Sequence, residues 1–193
     1  MFAYLNGTIT YKSPSLLHLD IQGLGYEINI TLQTYEKIGD LKQCKLYTHL
    51  QIREDAWVLY GFFDEQERTT FRQLLGINGV GAATARIILS SLSTEELEKA
   101  LWNEDLNTLQ KIKGIGAKTA QRIILELKGK ITSVPNNSGG TSVPSHNTIQ
   151  NDALNALINL GINKAMAESA LKKVENVASL SVEEIIKQAL KAL

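Results

Sequence analysis

Gly79-Val80-Gly81-Ala82-Ala83-Thr84-Ala85 and Gly114-Ile115-Gly116-Ala117-Lys118-Thr119-Ala120 are one seven-residue pattern written twice, thirty-five positions apart. The ungapped alignment extends upstream, placing Leu74 and Ile77 on Leu109 and Ile112. Repeats of this kind mark a supersecondary unit used twice. The chemistry such a unit offers is anion binding. Gly-x-Gly allows positive φ and leaves the turn without side chains. The helix that follows begins with amides lacking internal partners and with the positive end of its dipole. A phosphate can approach such an end closely. Two copies give two phosphate grips, which suits a polynucleotide strand. The residues expected to contact DNA are Asn78, Gly79, Val80, Gly81 and Thr84 in the first copy. In the second they are Lys113, Gly114, Ile115, Gly116, Lys118, Thr119 and Arg122.

Both copies resemble the helix-hairpin-helix motif, a DNA-backbone binder without sequence preference. One copy alone could be an ordinary glycine-turned helix pair; the aligned second copy favours DNA. Two other glycine motifs do not fit. A dinucleotide-binding GxGxxG needs a preceding strand and a third glycine, where Thr84 and Thr119 stand. A phosphate loop needs GxxxxGK[ST], which neither copy supplies. The chain therefore shows no site for nucleotide hydrolysis.

Glu54 and Asp55 form a second candidate feature, at the expected tip of a hairpin. Acidic residues suit a solvated turn, but beside a DNA-binding module they repel phosphates, by ~1 kcal/mol per close pair in water. No catalytic residues are expected, and no cofactor. His18, His49 and His146 have no carboxylate or cysteine at ligand spacing, so no metal is expected. Cys44, the one cysteine, reads as a small buried hydrophobe in a reducing compartment. Trp57 and Trp102 read as packing residues rather than base-stacking ones.

These features need elements to hold them. The fold class expected is α+β multidomain. Residues 1–63 carry five β-rich runs, Phe2–Tyr11, Leu16–Ile21, Gly25–Ile30, Lys45–Arg53 and Ala56–Phe63, with a helical turn near Thr34–Ile38. They fit an OB-type β-barrel, with an SH3-like barrel as the competitor. Residues 64–131 read as the all-α tandem helix-hairpin-helix domain, with Ser93 and Glu96 in a capping box and Asp105 as a cap. Residues 132–148, uncharged and rich in Ser, Asn, Gly and Pro, read as a flexible linker. Residues 149–193 read as three helices, Ala153–Leu160, Lys164–Glu175 and Val182–Leu193, in a bundle resembling the ubiquitin-associated type. Net charge is zero over 193 residues, so a DNA site must be a local patch. The N-terminus alternates rather than running apolar, and no stretch approaches a membrane span, so a cytoplasmic protein is expected.

In this order the segments resemble the RuvA family of bacterial Holliday-junction subunits. The resemblance rests on Gly7–Ile9, Gly23–Glu27, Thr48–Phe62, Asn78–Gly81, Gly114–Arg122 and Leu160–Ile162. It implies a homotetramer, or an octamer sandwiching the DNA, that holds a four-way junction open and square in homologous recombination and DNA repair. It implies further that Glu54 and Asp55 form an acidic pin at the crossover. The third domain would bind the hexameric RuvB ATPase through Leu157, Leu160, Ile162 and Leu190, with the RuvC resolvase joining a larger complex. The chain departs from the family in its first hairpin, where Ala82-Ala83 replaces a common Pro-Lys. The enzymatic rival, a DNA glycosylase or lyase, would need a catalytic Asp or Lys after the hairpin, and nothing after Leu127 supplies that carboxylate in context. A pure protein scaffold is the third possibility.

Overall fold

The computed structural model describes residues 2–128, 146–174 and 180–192, so the greater part of the expected linker lies outside the described residues. What is described forms two units, the barrel with the helices that follow it and the C-terminal helices.

Five strands, β1 (Tyr4–Ser13), β2 (Leu16–Ile21), β3 (Leu24–Ile30), β4 (Gln43–Ile52) and β5 (Trp57–Phe62), close into a barrel in the order β1-β2-β3-β5-β4. The β3–β5 pair is parallel and the other pairs antiparallel, the Greek-key order of an OB barrel. Alternation along the strands sends Leu17, Leu19, Ile28, Ile30 and Leu46 into one core. Helix α1 (Leu32–Ile38) spans the gap between β3 and β4, and Thr31 caps it.

Helices α2 (Glu65–Leu75), α3 (Ala82–Ser91), α4 (Thr94–Trp102), α5 (Leu106–Gln110) and α6 (Ala117–Leu127) follow. Their starts are locally encoded. Asp64 caps α2, Ser93 and Glu96 close a capping box on α4, and Asp105 caps α5. One apolar core joins all five helices to the barrel through Tyr60, Phe62 and Phe71.

Polar contacts make that joint specific. Arg86 donates to Asn29 Oδ1 at 2.7 Å, Arg68 to the Ala3 carbonyl at 2.7 Å, and Gln33 to the Leu89 carbonyl at 2.7 Å. Glu67, fully buried, accepts from the hydroxyls of Thr31 and Thr34. Buried groups satisfied in this way fix orientation, because any slip leaves them unpaired. The helices and the barrel are thus held in one relative pose.

In the second unit, α7 (His146–Asn159), α8 (Lys164–Lys172) and α9 (Val182–Lys191) pack around Leu157, Ala167, Ala170 and Ala189. Asn163 caps α8, and Ser181 with Glu184 forms a capping box on α9. Gly161 takes φ +91° after α7, as a C′ glycine does. The first helix starts earlier than expected, so positions 146–148 are helical rather than linker. Polar residues there hide the start, while burial of Ala153 and Leu157 supports the helix from within. No described helix is long and apolar enough to cross a membrane.

Both tryptophans depart from expectation. Trp57 is 75% exposed and Trp102 65% exposed, so neither fills a core. Trp57 stands on the last rung of the β4–β5 ladder, and Trp102 ends α4 at the surface.

Candidate nucleic-acid interface

The two repeats share three backbone hydrogen bonds at aligned positions. In the first, Ile77 N donates to Leu74 O, Val80 N to Ile77 O, and Ala85 N to Gly81 O. In the second, Ile112 N donates to Leu109 O, Ile115 N to Ile112 O, and Ala120 N to Gly116 O. Gly79 and Gly114 take φ of +91° and +90°, which a side chain would strain. Gly81 and Gly116 take extended φ, −86° and −85°, and cap α3 and α6 with no side-chain hydrogen bond. The first turn of each helix therefore keeps its amides uncapped by any side chain. A Cβ built at Gly81, Gly114 or Gly116 would meet nothing within 4 Å, so these turns face open space. Geometrically each turn leads into a helix N-terminus of the kind an anion can approach.

The expected contact residues divide by role. Asn78, Gly79, Gly81, Lys113, Gly114, Gly116, Lys118 and Arg122 are exposed on or beside the turns, and Thr84 and Thr119 are half-buried. Val80 and Ile115 are buried, and their side chains pin each turn to the apolar core. Their part in any contact is to hold the glycines in place. Charge is uneven between the repeats: Ala83 stands where the second copy has Lys118, and Asn78 where it has Lys113. Arg122 reaches across this asymmetry and donates from Nη1 to the Asn78 carbonyl at 2.8 Å. Lys128 is ion-paired with Glu104.

The acidic pair lies in the turn between β4 and β5. Arg53 N donates to Ala56 O at 2.9 Å, closing a tight turn with Glu54 and Asp55 at its tip. Both carboxylates are exposed. Below them Ile52 pairs with Trp57 across the ladder, and Ile52 is 65% exposed. The sequence reading missed this pair as a surface feature; the signal available was an indole two positions past a turn. His18 lies 3.6 Å from Glu27, and His49 packs edge-on against Phe71, so neither joins the turns. Among the described residues no group of three or more His, Cys, Asp or Glu side chains could hold a metal ion. Burial alone pushes the Cys44 thiol up to about 11, leaving it protonated at neutral pH.

Of the residues expected to meet a partner in the C-terminal unit, Leu160 is 64% exposed and Leu190 is exposed, while Ile162 is half-buried. Leu157 is fully buried and holds the bundle together. Leu160 and Leu190 are thus free to make a contact, and Leu157 shapes the helix that presents Leu160.

A closed OB barrel with an acidic hairpin, joined rigidly to two helix-hairpin-helix units, defines a class of structured DNA-backbone binder. Comparison with known proteins narrows the class. Residues 1–61 match the family model described as RuvA N terminal domain, 71–130 the SAM-like helix-hairpin-helix tandem, and 148–193 the RuvA C-terminal domain. The chain is 46% identical to the Holliday junction branch migration complex subunit RuvA of Amoebophilus asiaticus, over 99% of this chain and 100% of that one. It is 44% identical to the RuvA of Cytophaga hutchinsonii over 99% of each, and 43% identical to that of Christiangramia forsetii over the whole of both. The chain belongs to the RuvA family.

Proposed function

We propose that this protein binds four-way junction DNA without reading sequence, holds it open and square, and recruits a RuvB-type ATPase that drives branch migration. The observation that carries the reading is the matched pair of glycine turns, each with open space before it and uncapped amides behind it. Each turn seats one backbone phosphate. Lys113 and Lys118 add ionic contacts at the second turn, where the charge asymmetry concentrates them. Four copies arranged as a tetramer would present eight turns to four arms; a second tetramer on the opposite face would make the octamer. Glu54 and Asp55 would stand near the crossover, where repulsion guides phosphates outward toward the turns.

The chain supplies recognition and no bond-making step. ATP hydrolysis belongs to the partner, which the C-terminal unit would engage through the exposed Leu160 and Leu190 and the half-buried Ile162. A resolvase of the RuvC type would act on the same junction, and cytoplasmic DNA is the natural location.

The test uses fluorescence-labelled four-way junction and duplex of matched sequence, with and without the RuvB partner and ATP. Junction preference by the protein alone, and branch migration only with the partner, are expected. Cleavage of the DNA by the protein alone would indicate an enzyme, and equal affinity for both DNAs would remove the junction reading.

A further inference from the structure

We propose that Trp57, with Ile52 beside it, forms a stacking shelf for a nucleobase unpaired at the crossover. The inference rests on the junction reading above. Directly opposed residues of an antiparallel ladder point to the same face, so Ile52 and Trp57 form one surface. Two positions down each strand, Leu50 and Leu59 are also paired; Leu59 belongs to the barrel core and Leu50 packs against it. The shelf is therefore the core face of the sheet carried past the mouth of the barrel. There Trp57 is 75% and Ile52 65% exposed, which gives the fold little return on two large apolar side chains.

What the shelf takes is set by what stands beside it. The turn closed by Arg53 N and Ala56 O places Glu54 and Asp55 just beyond the Ile52–Trp57 rung. Exposed carboxylates repel phosphate, so a strand arriving here presents its neutral part, the flat face of a base. An indole is a good platform for that face, and stacking tolerates any base, in keeping with a protein that grips backbone. Ile52 widens the platform with an aliphatic wall of the kind that wedges between base steps. A second copy of the chain fits the shelf less well. Contact shelf to shelf would press two acidic tips together where water is excluded, and like charges oppose that. The carboxylates thus turn phosphates away, and the indole receives the base that strand separation exposes.

The test reads Trp57 in the full-length Trp102→Phe protein, where it is the sole indole. Junction carrying 2-aminopurine at the crossover, and a duplex of the same sequence, are titrated separately. Expected are quenching of Trp57 by the junction and not by the duplex, and brightening of 2-aminopurine as its neighbours unstack. Trp57→Ala should lose the 2-aminopurine signal and about tenfold in junction affinity, with Trp57→Phe retaining most of both. Unchanged Trp57 emission, with Trp57→Ala binding as wild type, overturns the shelf while leaving the junction reading intact. Concentration-dependent change of Trp57 emission without DNA, together with loss of oligomers in Trp57→Ala by native mass spectrometry, overturns it in favour of a contact between copies. Absence of any junction preference in the Trp102→Phe protein and in wild type removes both readings together.

Discussion

Arg122, on the helix of the second repeat, donates from Nη1 to the main-chain oxygen of Asn78, in the turn of the first, at 2.8 Å. The equivalent of Arg122 in the first repeat is Ile87, so no reciprocal bond exists. One repeat thus steadies the other in one direction only. The steadied turn is also the one without a lysine at either aligned position, since it has Asn78 and Ala83.

Replacing Arg122 by leucine should loosen the first turn selectively. Amide exchange across residues 78–81 should quicken about tenfold, with residues 113–116 and the barrel unchanged, as seen by hydrogen-exchange mass spectrometry. Uniform quickening would mean that Arg122 supports the whole domain rather than this turn.

Gly81 and Gly116 allow binding to be separated from folding. Both occupy N-cap positions at extended φ with room for a side chain. Gly81→Asp with Gly116→Asp should raise stability by a few tenths of a kcal/mol, because aspartate caps better than glycine. The same carboxylates fill the anion seats and should weaken junction binding at least tenfold. Tight binding by a folded double variant would exclude these seats as phosphate sites.

Lys118 is exposed beside the second turn, and a phosphate contact there has a measurable signature. Each neutralised phosphate contributes ~0.9 to the slope of log K against log salt, so Lys118→Ala should flatten the slope by about that much. An unchanged slope would place Lys118 in solvent throughout.

The acidic tip is expected to set strand separation more than affinity. Glu54→Gln with Asp55→Asn should leave junction binding equal or tighter, since repulsion is removed, while changing the rate of branch migration driven by the partner. Collapse of binding in this variant would make the tip a structural element instead.

Glu67 links the barrel–helix joint to pH. Burial pushes its carboxyl above the ordinary 4.5, although the Thr31 and Thr34 hydroxyls pull the other way by favouring the charged form. The folded state therefore holds this proton more tightly than the unfolded state. Its stabilising contribution is complete below the ordinary carboxyl value and is lost as pH rises through the raised one. Glu67→Gln should remove that decline, so thermal melts between about pH 4 and pH 8 should fall less steeply than wild type. Parallel curves would show that Glu67 titrates alike in both states.

The elements of the chain were legible because their signals are local. Helices α3 and α6 begin at Ala82 and Ala117, directly after the two Gly-x-Gly turns. The capping box at Ser93 and Glu96 and the cap at Asp105 are the ones the sequence marks. A side chain bonding an amide two or three residues away needs no tertiary context. The barrel strands follow the five β-rich runs with small errors at their ends, but the runs do not show that Ile52 is exposed. It shares a face with Leu46 and Thr48, which are buried, but lies past the rim where no opposite wall covers it.

By itself, then, the sequence determined the repeat, the glycine turns, the acidic tip and the order of units, all of them short-range patterns or copies of one. Tertiary structure alone decided that β3 pairs with β5, that Glu67 is sealed between barrel and helices, that Arg122 crosses to Asn78, and that Trp57 meets solvent. Each of those facts depends on groups more than thirty residues apart, or on where the barrel wall stops. Such pairings arise when the whole chain packs, because burial and hydrogen-bond satisfaction are settled by neighbours in space, which no window of sequence contains.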